Sequence, residues 1–287
     1  MSLRTERRSF FAVLAVALVM TSLVSSVIPS AHGQGKPRVL FDESHSPFVV
    51  TVADRKIPLT IREGFSVLAN RLANVGFQVE SLSAGPISSS QLDGVRVLVL
   101  PPSPGVLSPS EENTIVDYVR NGGGLLLLGE GSYDGHTNLA KKFGITPIAA
   151  VVCDPVYSIS VRLFHPRIWN LTSHEITTGV QSYLFDAGQP LIVKSPAFPL
   201  ARAGNESWFE TDYDGVRQPG EGAGDIIVLA ASEYGSGRVV VNGDATSFAN
   251  YDVVGYIGLD LFDTWRLALN IFNWLGRQKL FGVNLSY

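Results

Sequence analysis

The chain has 287 residues, a formal net charge of −4, 45% hydrophobic residues and 17% charged residues. This is the composition of a globular protein, and the length allows one large domain or two small ones. The 22 lysines and arginines are dispersed and form no basic stripe interleaved with aromatic residues, which argues against nucleic acid as a partner.

The first 33 residues differ in character from the rest of the chain. Arginines stand at three of the first eight positions, residues 10–28 are apolar apart from one threonine and three serines, and the small residues Ala31 and Gly33 follow. This order predicts a signal peptide over residues 1–33, cleaved before Gln34 and exported by the general or the twin-arginine route. The alternative is an uncleaved membrane anchor, since residues 10–28 approach the ~20 residues of a membrane span. Both interpretations place the body of the chain outside the cytoplasm.

A single cysteine, Cys153, excludes an internal disulfide, although export would expose the chain to oxidising conditions. The body must therefore be stable through its hydrophobic core alone. Cys153 follows Val151 and Val152 in an apolar run, which predicts a buried and inert thiol.

Strands and helices alternate in the first half of the chain. Short apolar runs predict strands at residues 36–41, 77–82, 95–100 and 125–128. Helical spacing predicts one helix from about residue 62 to a stop at Gly76. A second helix begins at the capping box Ser108-Pro109-Ser110-Glu111 and ends at the glycines after Asn121. This alternation is typical of a parallel sheet that is covered by helices.

The second half of the chain is less regular. It predicts a short helix at 138–143, strands at 149–153, 157–163, 191–194 and 198–201, an exposed loop at 212–224, and a last helix at 261–275. A hairpin is predicted over residues 226–242 around Gly235-Ser236-Gly237. Together these features predict a single domain over residues 36–280 of the α/β class. Its sheet is expected to be doubly wound and mostly parallel, with helices on both faces and some antiparallel strands in the C-terminal half.

Four segments carry a resemblance to a known group: VLFDESHS, VLVLPPSPGVLSPSEENTIVDYVRNGGGLLLLGE, SHEITTGV and GSGRVVVNGDATSFANYDV. The chain resembles the class I glutamine amidotransferase-like superfamily over residues 38–275, and within it the uncharacterised exported domains. It is more distantly similar to the amidotransferase-like domain at the front of an intraflagellar-transport subunit. The resemblance implies a flavodoxin-like sheet.

Catalytic members of that superfamily carry the elbow Gly-x-Cys-x-Gly after a central strand, with a histidine and a glutamate later in the chain. Here the corresponding position is Gly129-Glu130-Gly131, so Glu130 stands where the nucleophilic cysteine would be. Cys153 has no flanking glycines. The amidotransferase reaction is therefore not expected, and the resemblance implies a non-catalytic domain.

Polar loops follow three of the predicted strands, at residues 42–46, 130–136 and 244–250. The carboxyl ends of parallel strands share one edge of a sheet, so these loops are expected to converge. The functional hypothesis is a crevice that binds the hydroxyls of a sugar or a peptide. The candidate ligand-binding residues are Asp42, Glu43, His45, Glu130, Asp244, Ser247 and Asn250, with His136 as a second possible donor. The structural alternative is that these side chains cap helices and tighten loops.

Two further functional hypotheses apply to these loops, a hydrolase and a metal site. An extracytoplasmic hydrolase would pair Glu130 with His45 or His136 in acid–base chemistry. A metal would find suitable oxygen and nitrogen donors there, but no metal-binding spacing supports one, so neither a metal nor another cofactor is expected. The expected partner is an unidentified extracytoplasmic ligand or a membrane-associated protein, with membrane contact only through residues 10–28 if these are not cleaved.

Overall fold

The computed structural model describes residues 35–47, 64–131, 133–250, 252–253 and 256–277. Contacts between Cα atoms divide the chain into two compact units, Met1–Gly35 and Lys36–Tyr287. The predicted signal peptide lies outside the described residues, and all that follows concerns the second unit.

The described chain contains five α-helices and sixteen strands, several of them very short. The helices are α1 (Ser66–Asn74), α2 (Ser89–Leu92), α3 (Pro109–Arg120), α4 (Thr137–Lys141) and α5 (Thr264–Gly276). The strands of the first half are β1 (Arg38–Asp42), β2 (Gln78–Leu82), β3 (Val95–Leu100), β4 (Gly124–Leu128), β5 (Ile145–Pro147) and β6 (Val151–Cys153). Those of the second half are β7 (Arg167–Ile168), β8 (Asn170–Leu171), β9 (Tyr183–Leu184), β10 (Leu191–Val193), β11 (Phe198–Arg202), β12 (Trp208–Glu210), β13 (Ile227–Tyr234), β14 (Gly237–Asn242), β15 (Asp252–Val253) and β16 (Tyr256–Ile257).

Ten of these strands form one mixed sheet, in the order β2-β1-β3-β4-β14-β13-β10-β5, with β11 paired to β13 and β8 paired to β11. The five strands from β2 to β14 run parallel to their neighbours. From β13 onward every pairing is antiparallel. The predicted α/β class is confirmed in this form: a large sheet with a parallel part and additional antiparallel strands from the C-terminal half.

The central strand β4 shows why the parallel part is buried on both faces. Leu126 and Leu128 point into one apolar cluster, which also contains Leu68 of α1 and Phe272 of α5. The alternate residues Leu125 and Leu127 point into a second cluster with side chains of α2, α3 and α4. Because successive side chains of a strand point to opposite faces, a run of four leucines fits a strand covered on both sides.

Local signals in the first half of the chain agree with the observed elements. Ser108 accepts a hydrogen bond from the Glu111 N–H, the Glu111 side chain accepts one from the Ser108 N–H, and Pro109 occupies the first turn of α3. These three residues start α3 as the capping box predicts.

The prediction of a strand at residues 157–163 is wrong. The segment forms turns and bends, because the carboxylate of Asp154 accepts hydrogen bonds from the N–H groups of Val156 and Tyr157. A carboxylate that binds backbone donors two and three residues further along stabilises a turn in place of a strand.

The prediction of a transmembrane helix also needs correction. Within the described parts of the chain, no helix is both long enough and apolar enough to cross a membrane. Residues 10–28, on which that prediction depended, lie outside those parts.

Candidate functional site

The three predicted loops leave the sheet at the same edge. Asp42 is the last residue of β1, Glu130 lies two residues after β4, and Asp244 lies two residues after β14, and these three strands belong to the parallel part of the sheet. The hydroxyl of Thr246 donates to the Glu130 carboxylate over 2.6 Å, which joins the second loop to the third. We call this region the carboxyl edge, defined by residues 42–46, 130–136 and 244–250.

The imidazole of His45 lies between two buried carboxylates at the carboxyl edge. Its Nδ1 is 2.8 Å from the Asp42 carboxylate, and its Nε2 is 3.1 Å from the Glu111 carboxylate. Asp42 and Glu111 are almost fully buried, whereas the His45 side chain remains 21% exposed. The ring therefore connects the loop after β1 to the start of α3, and one side of the ring remains exposed to solvent.

Glu111 is held ionised by its surroundings. Burial opposes its ionisation, but hydrogen bonds from Ser108 and from the Ile87 N–H, together with the charge of His45, outweigh burial and lower the pKa of Glu111. The sequence identifies Glu111 only as a helix-capping residue. Its contact with His45 could not be found from local spacing, since the two residues are far apart along the chain.

His136 lies nearby but is buried. Its Nε2 is 2.7 Å from the carbonyl oxygen of Pro101, and its Nδ1 has no hydrogen-bond partner within the described structure. Burial lowers the pKa of His136, although the Pro101 carbonyl and the charge of Asp42 oppose this change. The ring is therefore neutral at pH 7, and its Nε2 donates to Pro101.

Asp244 and Asn250 hold backbone in place. The Asp244 carboxylate accepts hydrogen bonds from the N–H groups of Thr246, Ser247 and Asp186, at 2.7 to 3.3 Å. The Asn250 side chain bonds the Val67 N–H and the Ser66 hydroxyl of α1. For these two residues the geometry agrees with the structural alternative, because their polar atoms are directed at the protein's own backbone and at α1.

The remaining predicted ligand residues differ in exposure. Glu130 and Glu43 are half-buried, and Glu43 donates its N–H to the Leu82 carbonyl. Ser247 is fully buried, and its hydroxyl has no hydrogen-bond partner among the described residues. Four of the predicted residues of the carboxyl edge are half-buried and can be reached by solvent: Glu43, His45, Glu130 and Asn250.

The contacts of the two histidines do not support the hydrolase hypothesis. Acid–base chemistry needs Glu130 within hydrogen-bond reach of an imidazole, directly or through one water. The ring nitrogens of His45 face Asp42 and Glu111, and Nε2 of His136 faces Pro101. The Glu130 carboxylate accepts instead from Thr246.

The sequence of residues 58–257 matches the family described as a domain of unknown function, DUF4350. The chain belongs to the DUF4350 family. No curated protein matches the sequence of this DUF4350 chain.

Solved structures with the same fold come from several sources. The "mmIFT52 N-terminal domain" superposes with a TM-score of 0.64 at 19% identity, over 86% of this chain and 100% of that one. A putative thua-like protein from Parabacteroides merdae has a TM-score of 0.54 at 13% identity, over 88% and 94% of the two chains. Cytoplasmic protein STM1381 from Salmonella typhimurium has a TM-score of 0.53 at 18% identity, over 84% and 99%. At these identities the likeness concerns the fold alone.

These matches confirm one part of the predicted resemblance, the likeness to the intraflagellar-transport domain. The family that matches is DUF4350 and not a glutamine amidotransferase family. The buried state predicted for Cys153 in the DUF4350 chain is confirmed. The thiol is 0% exposed, and burial, followed by the charges of Glu210 and Glu221, raises its pKa to about 12.

One group of residues in the DUF4350 domain that could hold a metal was missed at the sequence level. Carboxylate oxygens of Glu210, Asp212 and Asp214 lie within 4.8 Å of one another. The sequence predicts an exposed loop over residues 212–224, which contains Asp212 and Asp214 but not Glu210, and it predicts no metal there. The signal that would have found it is the spacing of acidic residues from Glu210 to Glu221.

Proposed function

We propose that this chain is an exported, non-catalytic binding or scaffold domain with a flavodoxin-like, amidotransferase-like fold. In this proposal residues 1–33 direct export, residues 36–280 form one domain, and the carboxyl edge recognises a sugar or peptide. The observation that carries the proposal is the chemistry at the end of β4. By the resemblance, Glu130 stands where catalytic members carry the nucleophilic cysteine, and the single cysteine of this chain, Cys153, is buried with a raised pKa.

The exposed chemistry of the carboxyl edge favours hydroxyl or amine donors over anions. Glu43 and Glu130 are half-buried carboxylates, and the partly exposed ring of His45 lies against two more carboxylates. Carboxylates accept hydrogen bonds from sugar hydroxyls and from peptide N–H groups. An anionic ligand would meet electrostatic repulsion from the same groups.

A binding screen tests this proposal. The purified chain is combined with a panel of oligosaccharides and peptides, and thermal unfolding identifies ligands that raise the midpoint. For such a ligand, Glu130→Gln should weaken the affinity about tenfold, since one charge-assisted hydrogen bond contributes about 1.5 kcal/mol.

The matched control is Glu233→Gln. Glu233 is an exposed glutamate near the β13–β14 turn, at the opposite edge of the parallel strands. Its substitution should leave the affinity unchanged. If no member of the panel raises the midpoint, or if both variants bind alike, the carboxyl edge is not a binding site of this kind.

A further inference from the structure

A short hairpin brings a serine, a histidine and a buried aspartate into hydrogen-bonded order. The hairpin spans residues 158–166, and the hydrogen bond from the Ile159 N–H to the His165 carbonyl helps to close it. The Ser160 hydroxyl oxygen is 2.5 Å from Nδ1 of His165, and Nε2 of His165 is 2.9 Å from the Asp186 carboxylate. We call Ser160, His165 and Asp186 the hairpin triad.

The contacts of the imidazole define the role of each ring nitrogen. An ionised carboxylate only accepts hydrogen bonds, so Nε2 of His165 carries the proton and donates to Asp186. In the neutral ring Nδ1 is then an acceptor, and its donor is the Ser160 hydroxyl. A serine becomes a nucleophile when its hydroxyl donates to an imidazole that a carboxylate orients.

The three groups of the hairpin triad differ in exposure. The Asp186 side chain is 3% exposed, the His165 side chain is 13% exposed, and Ser160 is half-buried. Asp186 is also fixed at its backbone, because its N–H donates to the Asp244 carboxylate of the carboxyl edge over 2.9 Å. The orienting carboxylate is therefore shielded from water and held in place, whereas solvent can reach the hydroxyl.

Ser158 on the same hairpin provides a comparison. Its hydroxyl donates to the carbonyl oxygens of Ser160 and Arg162, and among the described residues it is bonded to no imidazole. Ser160 also contacts the backbone of Arg162, but its shortest hydrogen bond is the one to His165. The Arg162 N–H donates to the Ser160 oxygen over 3.1 Å, which stabilises negative charge on that oxygen as the proton leaves.

We propose that Ser160 is a nucleophile, activated by His165 and Asp186, that accepts an acyl group from an activated ester. The Ser160 oxygen attacks the ester carbonyl carbon, and the hydroxyl proton passes to Nδ1 of His165. The bond from the carbonyl carbon to the leaving oxygen then breaks, and that oxygen takes the proton from Nδ1. The products are an acylated serine and an alcohol.

The side chains around Ser160 favour an apolar acyl group. Val161 is fully exposed next to Ser160, and the half-buried Phe164 ring lies edge-on to the His165 ring, with 6.3 Å between the ring centres. An apolar acyl chain would cover these surfaces and remove them from water. The proposal concerns one acylation per chain and no turnover, so it goes beyond the binding role of the carboxyl edge and does not depend on it.

Acylation by p-nitrophenyl butyrate tests the proposal on the full chain. Release of p-nitrophenol gives the rate, and mass spectrometry of the peptides locates the butyryl group. Ser158 is the matched control within the same molecule, since it lies on the same hairpin without an imidazole. Ser160 should react at least about 100-fold faster than Ser158, the lower range of what a positioned base contributes.

Variants of the two partners identify their roles. His165→Gln removes the base and should slow acylation of Ser160 about 100-fold, with thermal unfolding as the check that the variant is folded. Asp186 is a positioning residue, because it acts through His165. In Asp186→Asn, nitrogen-15 NMR should show a larger share of neutral His165 rings with the proton on Nδ1, and acylation should slow at least about tenfold.

Three results would overturn the proposal. The first is a wild-type chain without a butyryl group on Ser160, whichever other residues react. The second is equal acylation of Ser158 and Ser160, which would indicate ordinary surface hydroxyls. The third is a folded His165→Gln chain, or an Asp186→Asn chain, in which Ser160 reacts at the wild-type rate.

Discussion

Two buried glutamates, Glu111 beside the carboxyl edge and Glu210 in the loop at residues 210–221, have different donors around them. The Glu111 carboxylate accepts short hydrogen bonds from Ser108 and from the Ile87 N–H, and it contacts the His45 ring. These groups outweigh burial and lower the pKa of Glu111. The Glu210 carboxylate lies close to those of Asp212 and Asp214 and has 3.4 Å contacts with two N–H groups, and burial raises its pKa. Burial alone therefore does not decide whether a carboxylate is ionised, because the donors around it can reverse the effect.

The largest predicted effect belongs to Asp244. Asp244→Ala leaves the buried N–H groups of Asp186, Thr246 and Ser247 without their acceptor, so the free energy of unfolding should fall by about 3 kcal/mol. Urea unfolding monitored by circular dichroism measures this change. A loss below about 1 kcal/mol would show that Asp244 does not hold the third loop.

The next effect concerns the contact between His45 and Glu111. Glu111→Gln removes the charge that faces the imidazole and should lower the free energy of unfolding by about 2 kcal/mol. The control is Glu112→Gln on the same helix, which loses an ion pair with the partly exposed Lys142 and should cost less than about 1 kcal/mol. Equal costs in urea unfolding would show that His45 and Glu111 do not compensate each other.

The buried Asp244 also predicts a dependence of stability on pH. Burial, followed by the charge of Asp186, raises the pKa of Asp244 from its ordinary 3.8 to about 7. Between these values the native state holds a proton that the unfolded state has lost. The contribution of Asp244 to stability is therefore complete below pH 4 and falls as the pH rises to 7, by at most about 1.4 kcal/mol per pH unit.

Asp244→Asn isolates this contribution from that of other titrating groups, among them the buried His136. Urea unfolding from pH 4.5 to pH 7.5, chosen to span most of this window, should show that the wild type loses more stability than the variant as the pH rises. Parallel pH profiles for the two chains would contradict the raised pKa.

The smallest effect is predicted in the loop. Asp212 is exposed, so Asp212→Asn should change the free energy of unfolding in urea by no more than about 0.5 kcal/mol. A loss of several kcal/mol would contradict the expectation that this exposed side chain contributes little to stability.

The sequence predicted the first half of the fold well, because its signals are local. The capping box from Ser108 to Glu111 and the leucine run of β4 each identify their element without distant contacts. The chain around Asp154 could not be predicted in this way. Its short strands depend on distant partners, such as the pairing of β6 with β12, and its turn depends on one carboxylate.

The carboxyl edge could be predicted only in part. The positions of Asp42, Glu130 and Asp244 follow from strand order, since parallel strands end at one edge. The partners of these side chains do not, because Glu111 approaches His45 from the separate helix α3 and Asp186 approaches Asp244 from an irregular segment.

Carboxyl carbon NMR of the purified chain, followed as the pH is varied, tests the difference between the two regions most directly. The pKa of Glu111 should lie below the ordinary glutamate value of 4.5, because hydrogen bonds outweigh its burial. The pKa of Glu210 should lie above 4.5, because burial raises it. Equal pKa values, or the reverse order, would contradict this account of the two glutamates.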